Sequence, residues 1–200
     1  MTQIPARTHR TQRERSDATR ELLLDATVDC LVELGYAGTS INEICRRAGV
    51  SRGAQQHHFA SKAELMAQAV EHLVVKLTEQ SGEVRGSAAT KVNKTVDELW
   101  EKLSGTLFTA ALELWVAART DDELRAAMEP MDRMLGRSTL AGYREITDGV
   151  MKPGSVDTVY WMTINLIRGL ALDAMIGGDP RRHATLLNEW KRIVKTIYLA

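Results

Sequence analysis

Residues that break or cross-link a chain are scarce in this sequence. Only 4 Pro and 2 Cys occur among its 200 residues, which argues against a turn-rich or disulfide-bonded fold. The β-branched aliphatic residues are also few, with 14 Val and 9 Ile against 23 Ala and 22 Leu. Because Ala and Leu favour helices whereas Val and Ile favour strands, this balance predicts an all-α protein.

Long apolar runs are absent as well. The longest stretches without Asp, Glu, Lys or Arg are residues 103–112 and 158–167, ten residues each. A helix needs roughly 20 apolar residues to cross a bilayer. The first 16 residues are polar and basic and contain no apolar segment of the secretory kind. We therefore expect a cytoplasmic protein that has no membrane partner.

The sequence offers little for metal or covalent chemistry. Cys30 and Cys45 stand 15 residues apart on apolar helical stripes, which fits buried thiols better than metal ligands or a disulfide. The adjacent His57 and His58 would project about 100° apart on a helix, and no third ligand accompanies them. Glycine-rich phosphate loops, nucleophile elbows and zinc-helix motifs are missing. We expect no metal, no cofactor and no enzymatic activity.

Charge is balanced overall but not along the chain. The 26 basic and 26 acidic residues cancel, so the whole molecule is not a polycation attracted to any phosphate polymer. Residues 1–20, however, contain five Arg against Glu14 and Asp17. This basic arm is either a solvated terminus or a segment that contacts nucleic acid phosphates.

Helical periodicity with capping signals divides the chain into about nine helices. The first is expected over about 16–34, with Gly35 as its stop. Two short helices should follow, capped by Ser40 and Ser51 and separated by a turn that contains Gly49. Two short helices around a glycine turn are typical of a helix-turn-helix.

Longer helices are expected beyond residue 62. The capping box Ser61-Lys62-Ala63-Glu64 begins the first of them, and residues 81–90 have the composition of a loop. Pro130 should kink or divide a later helix. Asp179 and Pro180 should start the last helix sharply. We therefore divide the chain into a helix-turn-helix unit with a basic arm, residues 1–62, and a larger helical domain, residues 63–200.

Residues 38–65 carry a specific motif, GTSINEICRRAGVSRGAQQHHFASKAEL. Its Gly-Thr pair, Ala-Gly-Val-Ser turn, Arg-Gly helix start and His-Phe followed by Ser-Lys resemble the signature of the TetR family of bacterial transcriptional regulators. The resemblance spans roughly residues 16–75, and the helix count and length agree with the family over the whole chain. It implies a helix-turn-helix that binds double-stranded DNA, followed by a helical domain that binds a small molecule and pairs two subunits.

The resemblance also implies which residues contact DNA. Arg52 stands at the start of the second short helix, where its guanidinium can grip guanine O6 and N7, and Gly53 allows close approach to the bases. His58 and Lys62 are expected on the DNA backbone, while hydroxyl groups can both cap helices and donate to phosphates. The implied set is Thr39, Ser40, Ser51, Arg52, Gly53, Ala54, Gln56, His57, His58 and Lys62.

Two residues depart from the family pattern. Gln55 replaces a usually apolar residue, so its amide must find a partner or face the rim of the core. Gln56 replaces the usual Tyr that contacts phosphate. These departures leave open a different class of function, a helical module that binds a small molecule or a protein and whose DNA-binding head is vestigial.

The larger domain holds most of the bulky apolar side chains. All four Trp and every Met after the initiator lie beyond residue 62, which suits either a ligand pocket or an ordinary core. Glu113 lies in an apolar run and is either a polar anchor in such a pocket or a solvent-facing group paired with an Arg such as Arg119. The candidate pocket residues are Trp100, Phe108, Thr109, Leu112, Glu113, Trp115, Met128, Met131, Met134, Trp161 and Asn165.

The last two helices are the expected dimer surface, because an apolar stripe there could be buried by two copies in a four-helix interface. Its members are Leu186, Leu187, Trp190, Ile193, Val194 and Ile197. A two-fold dimer would place its recognition helices about 34 to 36 Å apart, which requires a nearly palindromic operator. We therefore expect a homodimeric repressor that releases its operator when a small, largely apolar effector binds the larger domain.

Overall fold

The computed structural model describes residues 11–79, 85–152 and 154–199. These residues form nine α-helices followed by a π-helical turn, Val194–Tyr198, and no helix among them is long and apolar enough to cross a membrane. The all-α fold predicted from composition is confirmed. In chain order the helices are α1 (Gln12–Gly38), α2 (Ile41–Ala48), α3 (Arg52–His58), α4 (Lys62–Glu79), α5 (Ala88–Leu103), α6 (Thr106–Ala117), α7 (Asp122–Thr147), α8 (Val156–Met175) and α9 (Pro180–Ile193).

Helix α1 begins earlier than the periodicity predicted. Thr11 is its N-cap: the Thr11 hydroxyl accepts from the Glu14 N–H at 3.2 Å, and the Glu14 carboxylate accepts from the Thr11 N–H at 2.7 Å. This capping box satisfies two terminal amides at once, so the helix starts before Ser16. The second half of the expected basic arm is therefore helical, and residues 1–10 lie outside the described residues.

The C-terminal end of α1 is bent at Gly35, the predicted stop. Gly35 has φ 67° and ψ 175° inside an otherwise helical stretch, a combination that only glycine adopts readily. One further turn follows, and the Thr39 N–H closes it on the carbonyls of Gly35 and Tyr36. A Cβ at Gly35 would lie 2.8 Å from Oε2 of Glu113. Both the backbone angle and the neighbouring carboxylate thus require glycine here.

The caps of the two short helices follow the predictions. The Ser40 and Ser51 hydroxyls accept from the N–H groups of Glu43 and Ala54, each at 3.2 Å, and Gly49 ends α2 in the left-handed conformation. The Glu43 carboxylate accepts from Arg46 and Arg47, whose hydrogen bonds lower the pKa of Glu43 to about 2.

Later helix boundaries follow the predictions in part. Helix α7 continues across Pro130, so the proline does not divide it. Asp179 caps α9 by accepting from the Arg181 N–H, with Pro180 in the first turn. The loop expected over 81–90 ends sooner, because Ser87 caps α5 and residues 88–90 are helical; residues 81–84 lie outside the described residues.

The hydrophobic core does not break where the sequence suggested a domain boundary. One cluster joins α1 to α4 with α6 and the first half of α7, and it includes the fully buried Leu23, Phe59, Leu65, Leu114 and Leu124. A second cluster joins α5, the end of α7, α8 and α9. Residue 62 therefore marks the start of a helix and not an interruption of packing. The helix-turn-helix shares its core with the helices that follow it.

We predict that Gly35→Ala lowers the free energy of unfolding by about 1–3 kcal/mol, because a side chain is strained at this backbone angle and meets the Glu113 carboxylate. Urea denaturation measures the change. Gly142→Ala is the matched control, since a Cβ at Gly142 meets nothing within 4 Å and Ala favours a helix interior. If the two variants were equally stable, the constraint at Gly35 would be refuted.

Candidate functional site

Helix α3 presents one polar face to solvent. The side chains of Arg52, Gln56 and His57 are exposed, and a Cβ added at Gly53 would meet nothing within 4 Å. His58 is half-buried, and burial, together with the charges of His57 and Arg20, lowers its pKa. The geometry leaves the N-terminal turn and outer face of α3 open to a large partner.

The opposite face of α3 anchors the helix. Phe59 is fully buried in the first core, and the Arg20 guanidinium lies 5.6 Å from the centre of its ring. Gln55 is 3% exposed, and its Nε2 donates to the Phe59 carbonyl at 3.4 Å. The amide of Gln55 therefore finds its partner at the C-terminal end of α3, as the sequence required, and does not reach the outer face.

Charge at the helix-turn-helix is concentrated at Arg52. Arg46 and Arg47 on α2 form ion pairs with Glu43, and Arg47 forms another with Glu33. Arg52 donates only to the neutral amide of Asn42 in the described residues, at 2.9 Å. Its positive charge thus remains uncompensated on the exposed face.

Two expected phosphate contacts have a different environment. Thr39 is 1% exposed, and its hydroxyl donates to the Gly35 carbonyl at 2.6 Å, so the proton is directed into the protein and the predicted phosphate contact is wrong. Lys62 is half-buried, with Nζ 4.3 Å from the centre of the Tyr36 ring and donating to the Tyr36 carbonyl at 3.4 Å. Burial lowers the pKa of Lys62.

The end of α1 is joined to the larger domain through Tyr36. Its N–H donates to Oε2 of Glu113 on α6 at 2.8 Å, and its hydroxyl donates to Oδ2 of Asp121, the N-cap of α7, at 2.7 Å. Burial and the Asp121 carboxylate raise the pKa of Tyr36 to about 12. We call Gly35, Tyr36, Lys62, Glu113 and Asp121 the junction. Glu113 belongs to this junction, so neither alternative expected from the sequence is correct.

A largely apolar cavity of about 170 Å³ lies between α4, α5, α6, α7 and α8. It is a concave space lined mainly by apolar and aromatic side chains, as small-molecule sites usually are. The structure brings together five of the residues that the sequence suggested for a pocket. These are Phe108, Trp115, Met128, Met131 and Trp161.

The other six suggested residues do not line this cavity: Trp100, Thr109, Leu112, Glu113, Met134 and Asn165. Trp100 packs against His183 of α9, with ring centres 5.9 Å apart, and Asn165 and Met134 are exposed. On α6, Phe108 and Trp115 lie on the face that lines the cavity. Thr109 and Glu113, which lie between them in the sequence, are on other faces of the helix. Composition identified the right helices but not which face of each turns inward.

Sequence reasoning missed the polar members of the lining. The hydroxyl oxygens of Thr139 and Tyr160 lie 2.5 Å apart. The Arg168 guanidinium carbon lies 4.7 Å from the centre of the Trp115 ring, and its buried Nε has no hydrogen-bond partner. Extending the helical period from Trp161 along α8 would have found Arg168, because residues at i and i+7 share a face.

A second, larger cleft of about 630 Å³ is open to solvent. Its lining is strongly charged, and Lys76 is already paired with Asp25 at 2.6 Å. Such a surface is poorly suited to enclosing a small apolar molecule. The smaller cavity is therefore the better candidate for an effector site.

Half of the stripe expected to form a dimer surface is buried within the protomer. Leu187, Trp190 and Val194 pack into the second core, and the indole N–H of Trp190 donates to the Thr163 hydroxyl at 2.9 Å. Assigning these three to the protomer surface was wrong, because the helical period cannot tell an internal core from an interface between copies. Leu186 and Ile197 are exposed, and Ile193 is half-buried.

Helix α8, the other helix expected at the dimer surface, adds an exposed stripe whose residues the sequence analysis did not name. Its members are Met162, Asn165, Gly169, Leu172 and Ile176, all exposed. Their spacing of three and four residues places them on one face of the helix. Exposed apolar patches of this kind commonly mark an interaction surface.

Known proteins share both the motif and the whole architecture. Residues 23–69 match the model of a family described as bacterial regulatory proteins, tetR family. The chain is 31% identical over 195 residues to the HTH-type transcriptional regulator CymR of Pseudomonas putida, covering 94% of this chain and 95% of that protein. A crystal structure of a transcriptional regulator from Rhodococcus sp. Rha1 has a TM-score of 0.73 and 28% identity, covering 90% of this chain and 97% of that one. The chain therefore belongs to the TetR family of bacterial transcriptional regulators.

Proposed function

We propose that this regulator is a homodimeric repressor that releases a palindromic DNA operator when a small, largely apolar effector fills the cavity. The observation that carries the proposal is the double role of α6. Phe108 and Trp115 line the cavity, while Glu113, on the same helix, accepts the Tyr36 N–H at the end of α1. One rigid helix thus contacts both the effector site and the helix that leads into the helix-turn-helix.

The polar face of α3 supports base recognition in the major groove. Arg52 has the guanidinium fork that suits guanine O6 and N7, and Gln56 and His57 follow on the exposed side. Ser40 and Ser51 use their oxygens as N-cap acceptors, which leaves each hydroxyl proton for a phosphate. Gly53, Ala54, His58 and Lys62 remain in the proposed contact surface, and Thr39 does not.

Exposed apolar residues on α8 and α9 support a homodimer. The α8 stripe, the exposed Leu186 and Ile197 and the half-buried Ile193 could be covered by the same residues of a second copy in a four-helix interface. The two α3 helices would then meet successive major grooves, about 34 to 36 Å apart. This spacing is the reason for expecting a palindromic operator.

Effector binding would act through the junction. A molecule that displaces α6 or α7 changes the positions of Glu113 and Asp121, and both carboxylates hold Tyr36. The bend at Gly35 and the two short helices would move with Tyr36. A coupling of about 1–3 kcal/mol between two sites is typical and would weaken operator binding about 5- to 150-fold.

We predict that Arg52→Ala weakens binding to a palindromic operator by about 1–3 kcal/mol and relaxes base preference at the contacted position. The operator is first selected with the wild-type protein from a random-sequence DNA pool, and affinities are then measured by gel shift. Arg46→Ala is the control, because Arg46 is already paired with Glu43.

Two outcomes would contradict this proposal. Equal losses of Arg52→Ala on operator and random DNA would make Arg52 a phosphate contact and not a base contact. Failure to select any operator would favour the alternative, a binding module with a vestigial DNA-binding head.

We predict that Leu172→Asp converts the protein to a monomer and weakens operator binding, because a carboxylate on the α8 stripe would be buried without a partner in the dimer. Val75→Asp is the control: Val75 is 47% exposed on α4, against 46% for Leu172. Light scattering after size exclusion gives the mass, and circular dichroism checks the helix content. A Leu172→Asp protein that stays dimeric would exclude this surface.

A further inference from the structure

We propose that the effector is an anion: a small aromatic carboxylate whose ring fills the cavity and whose carboxylate binds Arg168. The inference rests on the proposed function and specifies the chemistry of the same site. It is carried by one polar group that the protein leaves unsatisfied, in a cavity that is otherwise largely apolar.

Arg168 projects from α8 into the lining of the cavity. Its guanidinium stacks on Trp115, with 4.7 Å between the guanidinium carbon and the ring centre. The Nε atom is buried and has no hydrogen-bond partner, and no ion pair to Arg168 occurs in the described parts of the chain. Buried donors on charged groups are nearly always satisfied, so the structure leaves this one open to an acceptor.

A carboxylate is the acceptor that fits this donor best. The planar guanidinium presents parallel N–H groups that match the two carboxylate oxygens, and such charge-assisted bonds are stronger than neutral ones. The stacking on Trp115 fixes the plane of the fork before a ligand arrives, which reduces the ordering required on binding. A neutral ligand would leave the buried Nε without a charged partner.

The remaining charges of the lining also favour an anion. Lys102 and Asp132 are the other two charged residues that line the cavity. The charges of Lys102 and Asp132 cancel, so the charge of Arg168 gives the lining a net charge of one positive unit. Asp132 is exposed and its charge is screened by solvent more than that of the buried Nε. A cationic ligand would thus meet an unfavourable site.

The size and walls of the cavity indicate an aromatic body. Its volume of about 170 Å³ is slightly larger than that of an engineered protein cavity of about 150 Å³ that binds benzene. Phe108, Trp115, Trp161 and Tyr160 supply aromatic surface, and aromatic rings pack on one another in offset or edge-on arrangements. The Thr139 hydroxyl donates to the Leu135 carbonyl at 2.7 Å and accepts from the Tyr160 hydroxyl, so both hydroxyl protons are already used within the protein.

The test uses six probes in two sizes, binding to the full-length protein without DNA. Benzoate, benzamide and benzylammonium share one ring and differ in charge, and 2-naphthoate, 2-naphthamide and 2-naphthylmethylammonium do the same with two rings. Isothermal titration calorimetry gives the dissociation constants. We expect a carboxylate to bind at least tenfold more tightly than its amide and its ammonium counterpart in at least one size series.

Variants then assign the preference to Arg168. Arg168→Gln should abolish the preference for the carboxylate, and Arg168→Lys should retain part of it because the charge remains while the planar fork is lost. Arg137→Gln is the matched control, since Arg137 is exposed on α7 and does not line the cavity. Thermal unfolding of each variant checks that the fold is retained.

Three results would overturn the proposal: equal or tighter binding of the amide or ammonium probes, an unchanged carboxylate preference in Arg168→Gln, or no binding of any probe at millimolar concentration. The readout contains no DNA, so it is separable from the proposed repressor function. If the protein bound carboxylates but no operator, the proposed repressor function would be refuted and the carboxylate site would stand. If a neutral or cationic ligand released the operator, the proposal that the effector is an anion would be refuted and the repressor function would stand.

Discussion

The hydrogen bond from the Tyr36 N–H to Glu113 joins the end of α1, which leads into the helix-turn-helix, to a helix that lines the cavity. The Tyr36 N–H, next to the bend at Gly35, donates to Glu113 on α6 at 2.8 Å. A buried amide without a partner costs about 1–3 kcal/mol, so the position of α6 and the end of α1 are linked. The position of Glu113 also requires glycine at residue 35, because a Cβ there would lie 2.8 Å from Oε2 of that carboxylate.

The packing makes this link effective over a longer distance. The core that anchors α3 through Phe59 continues without interruption into α4, α6 and α7, and the same helices wall the cavity through Phe108 and Met131. Close-packed interiors transmit displacements because they have no free volume to absorb them. A ligand among these side chains therefore acts on the same helices that position the end of α1.

The sequence predicted local structure well because its signals are local. The N-caps Ser40 and Ser51 and the glycine turn follow from the chemistry of a few neighbouring residues, whereas Glu113, Arg168 and the dimer stripe depend on contacts between distant helices. Helical periodicity shows that Trp190 belongs to the apolar face of its helix. It does not show whether that face packs inside the protomer or against a second copy, because both give the same pattern. The rotation of α6 and the partner of Arg168 could be known only once the helices were packed together.

The most direct measurement of the central claim is the operator affinity of Glu113→Ala, taken beside Glu113→Gln and Glu145→Ala. If the junction holds the DNA-binding helices in register, Glu113→Ala weakens the operator complex about 5- to 150-fold without changing helix content. Glu113→Gln keeps an acceptor for Tyr36 and stays close to wild type, and Glu145, an exposed carboxylate on α7, serves as control. Operator affinity of Glu113→Ala equal to that of Glu145→Ala would contradict the account.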